Sequence, residues 1–434
     1  MGSIEQTQPS VKEEMGLCKI PIKYNERYKP SGTKSYVNLM ARYGFQPTQP
    51  GPYGYINRMF QRGMAGSTVA LGGRAHMEKV LARKSEVEGG YGGQVTADDI
   101  QNESLYLCEV KIGSPAQKLE LQLDTGSSDI WVQMNLLPRY RGVNRTNFDA
   151  WKSSSFSCQN DKTWVMKRPD GSSISGEVGT DTVAVGGLEV PDQLVGLGKV
   201  VGGTSTERMV ADGTLGLSIP QTRYIQRNGV NDPQTSFVAK MAEAKILPED
   251  AQFFTTALCG PTEGGKQGSF CTFGFVDEDM MHCEVSWANV DSDKGMWMFP
   301  SASTTIDGDR MSRSGNMAVA DSSTPLILLS DKACEAFYKK IEGARYSRPH
   351  QGWLIPGSAQ TQGMPELRVA VGEMEFSVAT SEYMFSPAGD EMFFGVVQSR
   401  GNNEFDVLGV PFLRSVYAIW DFGHRRFGCV ARSR

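Results

Sequence analysis

Apolar positions in this chain fall into two regimes. From about residue 104 to the end they come in short runs, many of them alternating with polar residues: YLCEVKI, KLELQLD, DTVAVGG, FFTTALC, CTFGFVD, MAVAD, LRVAV and VYAIWDF. Runs of this length, punctuated by Gly, Asp and Ser, predict strands joined by turns and therefore a mostly β protein. The clearest interruptions with helical spacing are FVAKMAEAKI and DKACEAFYKKIEGA. Residues 1–103 read differently. SYVNLMARYGF (35–45) has an apolar face at helical spacing, QPTQPGPYGY breaks it, AHMEKVLARKSEVE predicts a second helix, and GGYGG breaks that. The earlier KIPI reads as a strand able to extend a sheet. An N-terminal region that stays attached and packs on a β body is the expectation.

Within the body the pattern nearly repeats. LQLDTGSSDIWV carries Asp124, Thr125 and Gly126; AVADSSTPLILL carries Asp321, Ser322 and Ser323. Each aspartate ends an apolar strand, and each is followed at similar distance by a triplet ending in Leu-Gly. Gly216 closes Thr214-Leu215-Gly216, 92 residues after Asp124, and Gly409 closes Val407-Leu408-Gly409, 88 residues after Asp321. Two half-molecules of similar length, each presenting one carboxylate, predict paired lobes with two acids at their junction, an arrangement suited to acid–base chemistry.

Composition narrows the classes. A length of 434 residues suffices for two lobes with cores. A net charge of −5 with no basic stretch argues against nucleic acid, and no apolar run approaches a membrane span. The first thirty residues carry no leader-like apolar core, and Gln6 breaks the myristoylation pattern, so a cytoplasmic monomer without membrane attachment is expected. The eight cysteines show no CxxC spacing, and the four histidines are scattered, so neither metal nor cofactor is expected. Cys259 and Cys271 flank a Gly-rich turn and read as facing thiols rather than a bridge.

These residues carry a family resemblance. YLCEVKIGSPAQKLELQLDTGSSDIWV resembles the N-lobe active-site segment of pepsin-like aspartic proteases, and TWVMKRPDGSSISGEVGTDTVAVGG resembles the flap of fungal members. DGTLGLS, GMWMFP and DVLGVPFLRSVYAIWDFGHRRFG continue the likeness in family order. The resemblance implies a mostly β, bilobed fold of two pseudo-two-fold-related lobes with a cleft between them. It implies a prosegment-like region at 1–103, an N-terminal lobe at 104–285 and a C-terminal lobe at 286–434. The positions at which secreted relatives form disulfides hold no cysteine here.

On this resemblance Asp124 and Asp321 are the catalytic pair. Two adjacent carboxylates share a proton, so one acts as base on a water while the other donates to a carbonyl. Thr125, Gly126, Ser127, Trp131, Ser322, Ser323 and Thr324 are expected around them. The Thr125 hydroxyl locks the two loops together, Gly126 permits close approach of backbone and carboxylate, and Ser127 donates to Asp124. The flap tip contributes Arg168, Asp170, Gly171 and Ser172.

Two departures from the family pattern bear on function. Ser323 stands where the family has glycine, so its side chain must either fit a restricted backbone or push the loop away. At the flap, Arg168 and Pro169 replace tyrosine and glycine, leaving Trp131 without its usual partner. The reading that weighs these most heavily is a repurposed enzyme. Its dyad performs cyclisation, isomerisation or dehydration on a small or peptide-derived ligand in the interlobe cleft, with Arg168 pairing an acidic group. An aspartic endopeptidase is the alternative, and a catalytically inactive peptide or small-molecule binder is a third.

Overall fold

The computed structural model describes residues 15–60, 76–84, 91–101, 103–134, 146–167, 173–202, 211–219, 224–260 and 268–432. Among these the chain is dominated by strands. No helix among the described residues is long and apolar enough to cross a membrane.

In chain order the first elements are strand β1 (Ile20–Tyr24), helix α1 (Gly32–Tyr43) and strands β2 (Tyr53–Phe60), β3 (His76–Lys84) and β4 (Tyr91–Gln94). The body follows with β5 (Tyr106–Ile112), β6 (Gln117–Asp124), β7 (Trp131–Gln133), β8 (Ser157–Lys167), β9 (Ser173–Val185), β10 (Leu188–Gly202) and β11 (Gly213–Gly216).

The near-repeat of the sequence is a repeat of topology. In the first half β11 runs parallel to β6 and antiparallel to β7, with Gly216 beside Asp124. In the second, strand Phe405–Leu408 runs parallel to Met317–Ala320 and antiparallel to Ile327–Leu329. Each aspartate therefore sits where two parallel strands end together. Close packing of β11 on the next turn requires Gly216, where a Cβ would lie 2.5 Å from the Asp129 carbonyl oxygen.

β1 does what KIPI predicts. It inserts between β5 and strand Ser269–Phe273, pairing antiparallel with both, in a sheet that continues through Phe253–Ala257 to the C-terminal strands. The N-terminal region is thus woven into the body. Its Leu17, Ile20, Ile22, Tyr36, Val37, Leu39, Met40 and Phe45 belong to the same apolar core as Leu121, Leu215, Trp297 and Trp420.

α1 forms because Tyr36, Val37, Leu39 and Met40 fall on one buried face. It stops two residues earlier than the pattern suggested because Gly44 takes the left-handed conformation at φ 68°, the usual glycine helix stop. The second predicted helix is not found. AHMEKVLARK is largely β3, which pairs along its whole length with β2 and at its end with β4. Its spacing suits either structure locally. The long-range partner decides, and it buries Leu81 and Ala82. Residues 85–88 of that segment lie outside the described residues.

All eight cysteines are free thiols, including Cys259 and Cys271. Cys271 faces Thr256 across its hairpin, and the Cys259 amide donates to Ser269 Oγ at 2.8 Å. With cores of this size carrying the fold, reductant should leave the thermal midpoint within about 2 °C. A fall of more than about 5 °C would reveal a stabilising bridge.

Candidate active site

The two aspartates are brought together by a reciprocal lacing of their loops. The Ser322 amide donates to Thr125 Oγ1 at 2.9 Å, and the Thr125 amide donates to Ser322 Oγ at 3.0 Å. Ser322 Oγ also donates to the Leu123 carbonyl at 3.0 Å. All of these groups are buried, so each bond is shielded from water and its loss would leave an unpaired polar group. Trp297 Nε1 donates to the Leu217 carbonyl, and Ser218 Oγ to the Gly295 carbonyl, giving the halves further ties beside the same loops.

Ser323 fits its position without displacing the loop. Its amide and its hydroxyl both donate to Asp321 Oδ1, at 2.9 and 2.8 Å, and it does not adopt positive φ. The replacement for glycine thus adds a donor to the carboxylate. Thr324 Oγ1 donates to Asp321 Oδ2 at 2.9 Å. Around Asp124, the Gly126 amide donates to Oδ1 at 2.9 Å. A Cβ at Gly126 would lie 2.5 Å from Asp321 Oδ2, so only glycine lets the second carboxylate approach. Ser127 does not take the expected part. It offers its carbonyl to the Ser218 amide, and the side-chain donor on Asp124 is Arg42.

Arg42 and Tyr43, the last two residues of α1, are the site residues that the sequence did not disclose. Arg42 Nη2 donates to Asp124 Oδ1 at 2.9 Å, and its Nε lies 3.1 Å from Asp321 Oδ2. Tyr43 donates its hydroxyl to Asp321 Oδ2 at 2.5 Å, lies 3.1 Å from Thr324 Oγ1 and sets its ring edge-on to Phe405. A cation followed by an aromatic just before the glycine stop is the only local hint, and it says nothing about the partner.

The electrostatics follow. Asp321 is fully buried, and burial alone would push its pKa up. The Arg42 charge, with donation from Tyr43 and Ser323, overcomes this and leaves it below the usual carboxylate value. Burial, and then the neighbouring Asp321 charge, hold the Tyr43 phenol well above its ordinary value, so it stays a donor. Every Asp321 oxygen is saturated with donors. Asp321 is thereby held toward its ionised form, and α1 covers both carboxylates.

Further out, Trp131 stacks on Trp164 of β8, with ring centres 5.2 Å apart, in a small cluster with Ile174, Val178 and Ile225. β8 and β9 run as a hairpin toward the flap tip, ending at the pair Lys167 and Ser173. Arg168, Asp170, Gly171 and Ser172 lie outside the described residues. No cluster of side chains suited to a metal ion occurs among the described residues.

Residues 105–431 match the family model described as eukaryotic aspartyl protease. Aspergillopepsin-1 of Aspergillus oryzae is 30% identical over 79% of this chain and 82% of its own length. Endothiapepsin of Cryphonectria parasitica is 29% identical over 76% of this chain and 75% of its own. Among solved structures, the aspartic proteinase from Irpex lacteus superposes with a TM-score of 0.60 at 18% identity, covering 76% of this chain and 95% of that one.

The Ser323 donors make a specific prediction. A carboxylate with a lowered folded pKa contributes docking stability above its ordinary value of 3.8, and that stability is lost as pH falls through the folded value. Ser323→Ala removes one donor, so α1 should leave the dyad at a higher pH than in wild type. Near-ultraviolet circular dichroism across pH 2–6 reads the release. An unchanged midpoint would mean that the Ser323 hydroxyl does not support the Asp321 charge.

Proposed function

Because the chain belongs to the eukaryotic aspartyl protease family, we propose that it is an aspartic endopeptidase kept latent by its own N-terminal segment. The observation that carries this reading is the seating of Arg42 and Tyr43 on both aspartates: the cleft already holds polypeptide at its floor. The accommodation of Ser323 removes one of the two sequence arguments for a changed chemistry.

In the working form α1 has withdrawn. Asp124 keeps its amide donor from Gly126, and Asp321 keeps Ser323 and Thr324. Two carboxylates this close titrate in two coupled steps and hold one proton over a range between them. The ionised member takes a proton from an attacking water, and the protonated member donates to the peptide carbonyl, giving a tetrahedral intermediate. The return of a proton to the leaving amine completes cleavage. The lacing through Thr125 and Ser322 fixes the spacing on which this exchange depends, since a misplacement of about 1 Å can cost a hundredfold in rate.

Latency follows from the same contacts. Arg42 is a permanent cation, so it cannot release the dyad by losing a proton. Freeing this ion-paired contact is favoured by protonating the carboxylates, which places its release on the acid side.

A repurposed acid–base enzyme, acting by cyclisation, isomerisation or dehydration on a small or peptide-derived ligand, is the second reading. Its support is the flap sequence, where Arg168 and Pro169 stand in place of tyrosine and glycine. Arg168 would then pair with an acidic group of the ligand.

The test is incubation of the full chain with a broad peptide library from pH 3 to 7.5, with and without a transition-state inhibitor of aspartic proteases. Inhibitor-sensitive cleavage should appear on acidification. Asp124→Asn and Asp321→Asn should each lower kcat by about a thousandfold or more while the fold persists. No cleavage at any pH, with the N-terminal segment demonstrably released, would overturn the endopeptidase reading in favour of the second.

A further inference from the structure

A second buried carboxyl, 21 residues before Asp124, fastens the N-terminal segment where it meets the body. Glu103 is 6% exposed and stands just before β5. Tyr28, in the stretch between β1 and α1, donates its hydroxyl to Glu103 Oε2 at 2.6 Å. Asn25 fastens the neighbouring backbone, with Nδ2 donating to the Ser104 carbonyl at 2.7 Å and its amide to the Leu105 carbonyl at 2.8 Å. Among the described residues, Glu103 Oε1 has no hydrogen-bond partner, and neither does Ser35 Oγ of α1, although both are buried.

The groups facing Glu103 are therefore mostly uncharged. Tyr28 and Ser35 come from the segment, and Gln122 of β6 donates to its carbonyl rather than its carboxyl. Arg42 acts only as a more distant charge, and no described ion pair includes Glu103. An ionised carboxylate here has lost its water without gaining a cation. A neutral acid can offer its proton to Ser35 and still accept from Tyr28.

We infer that Glu103 docks as a neutral carboxylic acid, so that the N-terminal segment takes up a proton at this point when it seats. Mild acidification then tightens the segment before stronger acid frees it. Burial, opposed first by donation from Tyr28, pushes the Glu103 pKa up to about 7 from 4.5. A raised folded pKa contributes docking stability that is complete below 4.5 and is lost as pH rises through about 7. The Asp321 contribution has the opposite sign and is lost as pH falls below the ordinary carboxylate range. The two give a latent state that is most tightly closed in weak acid and loosens on both sides.

This rests on the segment leaving the body as a unit, but not on peptidase activity. The test is native-state hydrogen exchange of the α1 amides in the full chain, corrected for intrinsic exchange, from pH 5 to 7.5. In wild type the opening constant should rise about 50-fold across that range, the linkage expected between values of 4.5 and about 7. Glu103→Gln, which keeps the neutral shape, should stay closed with little pH dependence. Tyr28→Phe, which removes a donor to the charged form, should move the transition to higher pH. A wild-type slope retained in Glu103→Gln would overturn the inference, as would a flat wild-type profile. Protection of α1 equal to that of the sheet interior at every pH would overturn it too, since the segment would then not leave as a unit. Absence of peptide cleavage in the earlier experiment would leave this result untouched.

Discussion

One guanidinium organises the site. Arg42 reaches both carboxylates at once, and the two aspartates lie at the bottom of a buried junction where, among the described residues, neither pairs with another cation. Two like charges held this close would repel, and each would take up a proton more readily. A cation between them turns that repulsion into an ion-paired triad. Removing one member of such a buried set typically costs about 3–5 kcal/mol. The helix that delivers Arg42 is in turn positioned by the body. The Gly32 amide donates to Ser386 Oγ, Thr33 to the His350 carbonyl and Tyr36 to the Ser399 carbonyl. Gln351 then clasps both backbone groups of Tyr53 where β2 begins.

The N-terminal region is thus held by three kinds of contact. β1 is a strand of the central sheet, α1 is a packed and charged plug, and the β2–β3–β4 sheet closes over it, with Tyr55 donating to the Met40 carbonyl at the end of α1. Each answers to different conditions. Strand pairing is indifferent to pH, whereas on the proposed function the plug would fail in acid and the Glu103 contact would weaken above neutrality. A chain held in this way would be latent over a range of pH set by its titrating contacts rather than by one of them.

How much was legible in the sequence follows from the range of each interaction. The strands and the two aspartates were readable because alternation and turn residues are local, and because the two loops repeat one another. β1 was readable from four residues. AHMEKVLARK misled because its spacing satisfies a helix locally, whereas its partner in β2 lies beyond a segment of chain that no local pattern spans. Arg42 and Tyr43 were invisible for the same reason: their partners lie 82 and 278 residues away. Ser323 misled in a different way. Its side chain was weighed as bulk, while its hydroxyl proves to be a donor to the carboxylate beside it.

The central claim is that Arg42 closes a dyad that is otherwise ready to bind peptide. The most direct measurement is the affinity of a peptidic transition-state inhibitor for the full chain at pH 7, by calorimetry, in wild type and in Arg42→Met. The account predicts no measurable binding to wild type at pH 7 and clear binding to the variant, with wild type gaining affinity once acid has released α1. Equal binding to both proteins at pH 7 would show that Arg42 does not obstruct the cleft. Absence of binding to both in acid, with α1 released, would show that the cleft is not a peptidase site.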